Sequence, residues 1–336
     1  MARWLHPSSR DLATTPNEWP RACRHAGHGL AMLVNPKDHL ARARREGWAI
    51  GGFNVYNLES ARAVIAAGQE HAAPVLVQTS EGAVKHAGLE NMVALVRQLA
   101  GSTKVPVALH LDHGKSVALA RAAVDAGYTS VMIDASRESF EENLRDTREV
   151  VAYAHARNVN VEAEIGVLGG IEDLGERGGG SMLTDPGQAA RFADETAVDA
   201  LAVAIGTSHG AYKFAGEPRL DFERLQAIAA RVAVPIVLHG ASSLARDEIV
   251  LAERYGAKLE QAKGIPPQLI RKAVQSGIAK VNTDSDLRLA ALLRVRQILV
   301  ERPDLFNVYE LMGEMEAAIR RAAAERICLL GSDGKA

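Results

Sequence analysis

From Asn35 onward the chain repeats one pattern, a short apolar run followed by a helical pattern. The short runs are rich in aliphatic and β-branched residues, and we interpret them as buried strands. They are Ala49–Tyr56, Pro74–Ser80, Pro106–His113, Ser130–Ala135, Asn160–Gly166, Ala200–Gly206, Pro235–His239 and Ile278–Thr283. Strands that alternate with helices in this way form either an open doubly wound sheet or a closed (β/α)8 barrel.

Two features favour the closed barrel. The repeat occurs eight times, which is the number of units in a TIM barrel. The first strand is not followed by a glycine-rich dinucleotide-binding turn, because Gly51-Gly52-Phe53 lacks the required spacing. We therefore predict an α/β fold, a single (β/α)8 TIM barrel with an extra N-terminal helix and C-terminal helices.

The helices around this barrel are predicted from the recurrence of apolar residues at helical spacing. Asn35-Pro36 is typical of a helix start, so the extra N-terminal helix is expected from there to Arg45, and a last helix covers Val308–Ile327. The helices between the strands are predicted at Leu58–Glu70, Leu89–Ala100, Ser116–Ala126, Phe140–Arg157, Pro186–Glu195, Phe222–Arg231, Pro266–Ser276 and Asp284–Glu301.

The length of 336 residues would accommodate about two domains, but one barrel can span residues 32–336. Residues 1–31 contain three prolines and show neither a helical nor a strand period. We predict a disordered N-terminal extension there, or sequence upstream of a start at Met32. An organelle transit peptide is the less favoured alternative.

Charge and cysteine content narrow the class of protein. The 39 Lys and Arg against 41 Asp and Glu give a net charge of −2, which argues against nucleic acid or an anionic membrane as partner. No apolar run approaches the roughly 20 residues that cross a bilayer. The two cysteines, Cys23 and Cys328, lie far apart, which excludes a disulfide framework and favours the cytoplasm.

Polar side chains accumulate where the predicted strands end. Because the carboxyl ends of barrel strands meet at one mouth, we expect a single active site there. The polar residues at or just past these ends are Asn54, Ser80, Asp112, His113, Asp134, Glu164, His209, His239, Asn282, Asp284 and Ser285.

Three of these strand ends carry a histidine. His113, His209 and His239 could surround one open position, which is a typical ligand set of a catalytic zinc ion. His110 lies two positions before Asp112, so it points inward but deeper, and we predict a hydrogen-bonded core residue.

Asp112 and His113 are consecutive and would point to opposite faces of an ideal strand. Both can serve one site if His113 lies just past the last regular residue, where Gly114 permits a turn. His86, placed in the loop after the second strand, is expected to be solvent-exposed.

The fifth strand carries two glutamates on one face, Glu162 and Glu164. Buried there without a cation, they would repel each other. One solution is a metal ion, which Asp134 could also approach; the other is an internal ion pair with Lys280 on the eighth strand. The residues leave both solutions open.

The longest irregular segment, Val167–Pro186, follows the fifth strand at the same mouth. Glycines flank Glu172 within it, which indicates a lid that carries this carboxylate onto a substrate. The alternative is a mobile surface loop.

The turns after the last three strands leave backbone amides available for phosphate. They contain Gly210, Gly240–Ser242 and Thr283–Ser285, and Lys213 and Arg288 add positive charge. Two such phosphate sites suit a bisphosphorylated ligand.

Seven motifs occur in the order in which one enzyme family carries them. They are Gly52–Val55, His110–Gly114, Val161–Gly166, Gly169–Asp173, Gly206–Lys213, His239–Ser242 and Asn282–Arg288. On these motifs the chain, from Met32 to its C-terminus, resembles the class II, metal-dependent fructose-bisphosphate aldolases, most of all their shorter, bacterial branch.

The resemblance implies a role for each matching position. His113, His209 and His239 would hold catalytic Zn²⁺, while Glu164 and Asp134 would approach or bind a second or alternative divalent metal. Asp112 would protonate the aldehyde oxygen in the condensation direction, and Glu172 would remove a proton from dihydroxyacetone phosphate. The implied substrate-binding residues are Asn54, Ser80, Gly210, Lys213, Gly240, Ser242, Asn282, Asp284, Ser285 and Arg288.

The resemblance also implies a monovalent cation site, a role for Asn282 and an oligomer. Backbone carbonyls near the ketose-side phosphate would hold a monovalent cation, Na⁺ or K⁺, and Asn282 would steady the enediolate. Arg288 would reach the second phosphate from a neighbouring subunit, so a homodimer or homotetramer is expected.

The implied activity is reversible cleavage of fructose 1,6-bisphosphate to dihydroxyacetone phosphate and glyceraldehyde 3-phosphate, in the cytoplasm. One alternative is an aldolase for the C4 epimer, tagatose 1,6-bisphosphate. A more remote one is a non-catalytic barrel that binds phosphosugars. A Schiff-base aldolase would need Lys213 as its nucleophile, and we expect no such intermediate because this lysine stands among metal-type residues.

Overall fold

The computed structural model describes residues 33–170, 182–209, 218–259 and 262–336, apart from the side chain of His209. Ala31–Ala336 forms one compact unit. The extension predicted over residues 1–31 lies outside the described residues. Within the described part of the chain, no helix combines the length and the apolarity that spanning a membrane requires.

Eight parallel strands close into a barrel, which confirms the predicted fold. The strands of the described residues are β1 (Ile50–Asn54), β2 (Val75–Thr79), β3 (Val107–Gly114), β4 (Ser130–Ile133), β5 (Asn160–Ile165), β6 (Gly169–Gly170), β7 (Ala200–Val203), β8 (Ser208–His209), β9 (Ile236–Leu238) and β10 (Ile278–Thr283). Around the barrel the order is β1-β10-β9-β7-β5-β4-β3-β2, and the other two strands, β6 and β8, pair with each other.

The helices surround this barrel and follow its strands in the chain. They are α1 (Lys37–Glu46), α2 (Leu58–Glu70), α3 (Glu81–Ala87), α4 (Leu89–Ala100), α5 (Val117–Ala126), α6 (Phe140–His155), α7 (Pro186–Thr196), α8 (Phe222–Ala229), α9 (Arg246–Arg254), α10 (Pro267–Gln275), α11 (Ser285–Glu301) and α12 (Val308–Leu330).

Two of these helices, α3 and α9, do not correspond to any predicted one. Each is the first of two helices between consecutive barrel strands, where the eightfold strand–helix repeat predicts only one. His86 therefore lies on α3 rather than in a loop, although its side chain is exposed as expected.

Helix α1 closes the amino-terminal end of the barrel. It begins one residue later than predicted, at Lys37, whose backbone N–H donates to Asn35 Oδ1 at 3.0 Å. Its buried Leu40 and Ala43 pack with Trp48 and with apolar residues near the starts of the strands. The opposite mouth remains available for a site.

Above this apolar layer the barrel interior is polar. His110 is fully buried, and its Nδ1 lies 2.7 Å from Ser130 Oγ, so it is a hydrogen-bonded core residue as predicted. Asn160 Nδ2 donates to the same hydroxyl at 3.0 Å. Burial lowers the pKa of His110 to about 3, so this imidazole stays neutral at physiological pH.

Candidate active site

Five predicted site residues meet at the carboxyl-terminal mouth of the barrel. Ligand atoms of Asp112, His113 and His239 lie within 4.8 Å of one another, and so do those of His113, Asp134 and Glu164. The rings of His113 and His239 are edge to face, with centroids 4.6 Å apart. The two groups share His113, so they form one cluster of potential metal ligands.

A local irregularity in β3 lets consecutive residues serve this one cluster. The register between β3 and β4 shifts between Leu111 and Gly114, and His113 adopts a left-handed conformation with φ of 48°. The predicted turn at Gly114 is therefore wrong, because His113 itself makes it. Gly114 is needed for space, since a Cβ there would lie 2.7 Å from the carbonyl oxygen of Met132.

Asp134 fixes the orientation of the His113 ring. The Nδ1 atom of His113 lies 2.7 Å from Asp134 Oδ2, while Asp134 Oδ1 accepts from the backbone N–H and the hydroxyl of Ser136 at 3.2 and 2.7 Å. Burial alone would lower the pKa of His113, but Asp112 and Asp134 raise it well above its usual value. The hydrogen bond at Nδ1 leaves Nε2 as the ring nitrogen available to a metal.

His239 lies between two carboxylates at the end of β9. Its Nδ1 is 2.8 Å from Glu164 Oε2, and its Nε2 is 2.8 Å from Glu162 Oε1. Burial and the nearby His113 lower the pKa of His239, but the hydrogen bonds to Glu162 and Glu164 outweigh them and the pKa is raised. Both ring nitrogens face carboxylate oxygens, so the raised pKa favours a protonated ring, which must release a proton from one nitrogen before that nitrogen can bind a metal.

The two glutamates of β5 have different partners, which decides between the alternatives that the sequence leaves open. Lys280 Nζ donates to Glu162 at 2.8 and 3.1 Å, and all these atoms are buried. Glu164 faces the histidines instead, and burial together with the charge of Asp134 raises its pKa. Glu162 belongs to an internal ion pair, and Glu164 is the carboxylate that faces the metal-ligand cluster.

The charge balance of the mouth favours a cation. Within the described residues, four carboxylate side chains of the site are at most 8% exposed, and the buried lysine among them pairs with one. The others are balanced by protons on His113 and His239, whose pKa values are raised, or by a metal ion that replaces those protons. These carboxylates are Asp112, Asp134, Glu162 and Glu164. Uncompensated buried carboxylates are costly unless they bind protons or metal ions.

Asp112 is held by two amide side chains. Asn54 Nδ2 donates to Asp112 Oδ2 and Asn282 Nδ2 donates to Asp112 Oδ1, both at 2.8 Å. Burial raises the pKa of Asp112, but His113 and Lys280 outweigh it and leave the pKa at about 2. Asp112 is therefore an ionised carboxylate with a fixed orientation at neutral pH.

A cavity of about 580 Å³ opens beside Asn54. Ser80 lines it where β2 ends and also accepts a hydrogen bond from the backbone N–H of Ala83 at 3.3 Å. Arg288, in the first turn of α11, lines the other side, with its Nε donating to Asp284 Oδ1 at 2.7 Å. Asn54 thus connects this cavity to the carboxylate of Asp112.

Tyr56 and His86 also line the cavity, and the sequence analysis did not assign either to the site. Tyr56 follows β1 directly, so its position at the mouth was available as a signal. His86 lies on α3, and its position depends on a helix that the periodicity did not reveal.

The loop after β9, residues 239–244, packs closely against β8. Gly240 has a left-handed φ of 62°, and a Cβ there would lie 2.5 Å from the carbonyl oxygen of Ser208. Ser242 is 4% exposed, and Ser285 is the first residue of α11. Glycine at 240 is therefore required for the strand that carries His209 to approach this loop.

Several predicted residues lie outside the described part of the chain. The backbone of His209 is on β8, next to Ser208, but its side chain is not described. Glu172, Gly210 and Lys213 are also not described. The third imidazole, the lid carboxylate and this lysine therefore stay predictions.

Comparison with known proteins identifies the family. A family model described as fructose-bisphosphate aldolase class-II matches residues 34–335. The chain belongs to the class-II fructose-bisphosphate aldolase family. Two relatives are the fructose-bisphosphate aldolases of Helicobacter pylori (strain J99) and Thermus caldophilus, and each is 44% identical to this class-II aldolase over 308 residues. The matches cover 90% and 91% of this chain, respectively, and 100% of each relative.

A solved structure agrees with this class-II aldolase in fold. The YdjI aldolase from Escherichia coli K12 matches with a TM-score of 0.73 and 34% sequence identity, over 91% of this chain and 100% of that one. The comparisons confirm the resemblance read from the motifs and the assignment as an aldolase, a carbon–carbon lyase. They do not favour the tagatose alternative or a non-catalytic barrel. Class-II aldolases are metal-dependent, which agrees with the cluster of potential ligands.

Proposed function

We propose that this aldolase reversibly cleaves fructose 1,6-bisphosphate into dihydroxyacetone phosphate and glyceraldehyde 3-phosphate. The observation that carries the proposal is the cluster of Asp112, His113, Asp134, Glu164 and His239 at the barrel mouth, beside a cavity that Asn54, Ser80 and Arg288 line. The relatives that cover nearly the whole chain are named for the same substrate.

The residues of the mouth fit a divalent metal ion. His113, His209 and His239 would hold Zn²⁺, and Glu164 and Asp134 would lie close enough to bind a second or alternative divalent ion. The support is the surplus of buried carboxylates and the two described imidazoles that face them. When bound, the metal acts as a Lewis acid that stabilises the negative charge of the enediolate.

Asp112 is proposed to move the proton of the aldehyde-side hydroxyl. Because it is ionised, it can accept the proton from the C4 hydroxyl while the C3–C4 bond breaks, and it returns that proton to the aldehyde oxygen in condensation. Asn54 and Asn282 hold its two oxygens in place. Within the described residues, Oδ1 of Asn282 is buried without a hydrogen-bond partner, so it is available to a substrate hydroxyl that forms the enediolate.

Glu172 is proposed as the base that removes a proton from dihydroxyacetone phosphate. The support is its place in the sequence, between glycines in the segment that follows β5, the strand that carries Glu164. A carboxylate on a closing lid can reach the substrate and exclude water from it.

Two phosphate sites complete the proposal. Backbone groups near Gly210, Gly240, Ser242, Asp284 and Ser285, with Lys213, would bind the ketose-side phosphate and a monovalent cation, Na⁺ or K⁺. The start of α11 supports this site, because helix N-termini attract phosphate. Ser80 and Asn54 would bind the second phosphate in the cavity of about 580 Å³. Arg288 would reach that phosphate from a neighbouring subunit.

A homodimer or homotetramer in the cytoplasm is proposed as the working form, with residues 1–31 as an extension outside the barrel domain. Apolar side chains are highly exposed around the turn between α11 and α12, which supports burial against another copy. They are Leu299 (60%), Val300 (64%), Phe306 (94%), Val308 (67%) and Tyr309 (77%). Light scattering should give a mass of two or four chains, and a monomer would contradict the proposal.

A coupled assay tests the substrate and the metal together. With zinc-loaded protein, kcat/KM for fructose 1,6-bisphosphate should exceed that for tagatose 1,6-bisphosphate by at least about tenfold, since specific contacts to one hydroxyl discriminate strongly. Chelation should abolish cleavage, and zinc should restore it. Full activity of the metal-free protein, or a preference for the tagatose epimer, would overturn the proposal.

A further inference from the structure

The C-terminal helix α12 places a buried arginine against the loop after β9. Arg326 is 4% exposed, and its Nη2 donates to the carbonyl oxygen of Ala241 at 3.0 Å. Its Nη1 donates to Ser243 Oγ at 2.6 Å. These contacts join residues more than 80 positions apart in the chain, so no local sequence pattern indicates them.

A carboxylate from α11 holds the same loop at its other end. Asp286 Oδ1 accepts from the backbone N–H groups of Ser243 and Leu244 at 2.8 and 2.9 Å. Asp286 Oδ2 lies 3.9 Å from Arg326 Nε, and neither atom has a hydrogen-bond partner among the described residues. Burial lowers the pKa of Arg326, whereas Asp286 opposes that shift, so this carboxylate is also what compensates the buried charge.

The loop is held in a conformation that it would not favour alone. Leu244 has a φ of 44°, in the left-handed region that is strained for a residue with a side chain. Gly264 packs so closely that a Cβ would lie 1.6 Å from the carbonyl oxygen of Ser243. The carbonyl of Ser242 accepts from the backbone N–H of Ile265 at 2.8 Å. Strained backbone persists where its surroundings determine it, and here Arg326 and Asp286 are among those surroundings.

The contact to Ala241 determines where the next amide points. In a planar trans peptide the carbonyl and the following N–H point in opposite directions. Because Arg326 binds the carbonyl of Ala241 from the side of α12, the N–H of Ser242 points away from α12. Within the described residues, the N–H groups of Ala241 and Ser242 make no hydrogen bond, although both residues are buried. Two adjacent buried amides without partners are suited to an anion.

We propose that Arg326 and Asp286 are positioning residues for substrate phosphate. They hold residues 239–244 so that the amides of Ala241 and Ser242 are directed at the ketose-side phosphate, without contacting it themselves. This inference rests on the proposed function, which places that phosphate at this loop.

The test compares Arg326→Met, Arg326→Lys and Asp286→Asn with the control Arg320→Met, each zinc-loaded. Arg320 lies on the same helix, but it is 44% exposed and pairs with Glu70 on the surface. The KM and kcat for fructose 1,6-bisphosphate are measured, together with the inhibition constant of inorganic phosphate and the zinc content. Phosphate inhibition reports anion binding even where turnover is slow.

For Arg326→Met we expect KM and the phosphate inhibition constant to rise on the order of tenfold to a hundredfold, since a shift of about 1 Å in a positioning element has effects of this size. The value of kcat should fall less, and the zinc content should match wild type. Arg326→Lys keeps the charge but can make fewer of the contacts, so it should give intermediate values. The control should match wild type in every readout.

If Arg326→Met does not fold, Asp286→Asn and Ser243→Ala, which each weaken one contact, should show the same pattern in smaller measure. KM and phosphate inhibition within twofold of wild type in the folded variants would overturn the proposal, as would a fall in kcat alone. Failure of the proposed function is distinguishable, because wild-type protein would then not cleave fructose 1,6-bisphosphate at all.

Discussion

At the scale of single residues, the orientation of the groups at the barrel mouth depends on which partner each buried carboxylate has. His239 uses one ring nitrogen for Glu162, whose charge is compensated by Lys280, and this leaves the other nitrogen facing Glu164. Partners of this kind orient a metal-binding imidazole and tune its affinity. The buried lysine therefore belongs to the architecture of the site although it lies one layer below it.

Replacing Lys280 by Met should destabilise the protein. The change leaves Glu162 buried without its partner, which costs about 3–5 kcal/mol of unfolding free energy. The double variant Lys280→Met/Glu162→Gln should recover part of this loss, because it removes the uncompensated charge. Urea unfolding measures the unfolding free energy of both variants. A value for Lys280→Met within about 1 kcal/mol of wild type would show that the ion pair is not a stabilising contact.

Replacing Asp112 by Asn should remove proton transfer while preserving the shape of the site. We expect kcat to fall by a factor on the order of 10²–10⁴, the range in which positioned acids and bases contribute. Zinc content should be kept if the histidines are the ligands. Asp125→Asn, at a position whose side chain is 56% exposed, is the matched control. An Asp112→Asn variant with wild-type kcat would move the proton-transfer role to another group.

At the scale of elements, the backbone conformation at the strand ends determines where the side chains of the site lie. The irregular end of β3 directs two consecutive side chains to one mouth, and α11 and α12 hold the loop after β9 from outside the barrel. A left-handed residue such as His113 costs about 1–3 kcal/mol, which the surrounding contacts must offset. The hydrogen bond to Asp134 is one such contact.

Replacing Gly114 by Ala tests this strand end. The added methyl group would lie 2.7 Å from the Met132 carbonyl oxygen, so it should lower the unfolding free energy by about 1–3 kcal/mol and reduce zinc affinity by displacing His113. Gly313→Ala in α12 is the control, because a Cβ there meets nothing within 4 Å and should stabilise the helix slightly. Equal melting temperatures for both variants would argue against a close-packed strand end.

At the scale of the whole molecule, the barrel and its flanking helices form the catalytic unit. The family model covers residues 34–335, and the compact unit spans Ala31–Ala336. The small net charge of −2 does not show that buried carboxylates cluster at the mouth, or that Arg288 and Asp284 form an ion pair beside the cavity. The distribution of charge, rather than its sum, is what a phosphorylated substrate meets.

A protein that starts at Met32 should therefore retain the activity of the full chain. Its kcat/KM for fructose 1,6-bisphosphate should agree within about twofold, and its melting temperature should differ by no more than a few degrees, because the barrel core lies within residues 33–336. Loss of cleavage in this shorter protein would assign residues 1–31 a part in the working enzyme.

Much of this architecture could be predicted from local patterns. Buried strands and amphipathic helices repeat with their own periods, and the polar residues at strand ends must meet once the barrel closes. That is why the eight strands and the cluster around Asp112 and His113 were predictable, whereas the short helices α3 and α9 were not. Each precedes another helix between the same two barrel strands, where the strand–helix repeat predicts a single helix.

The order of the elements and the kind of chemistry at the mouth follow from the chain alone, because periodicity and strand polarity are local properties. Three features required the tertiary structure: the pairing of Lys280 with Glu162, the left-handed turn at His113, and the support of the β9 loop by Arg326. Each depends on atoms distant in sequence, or on the space left by a neighbouring strand. Only the closed barrel decides which buried charges and carbonyls become neighbours.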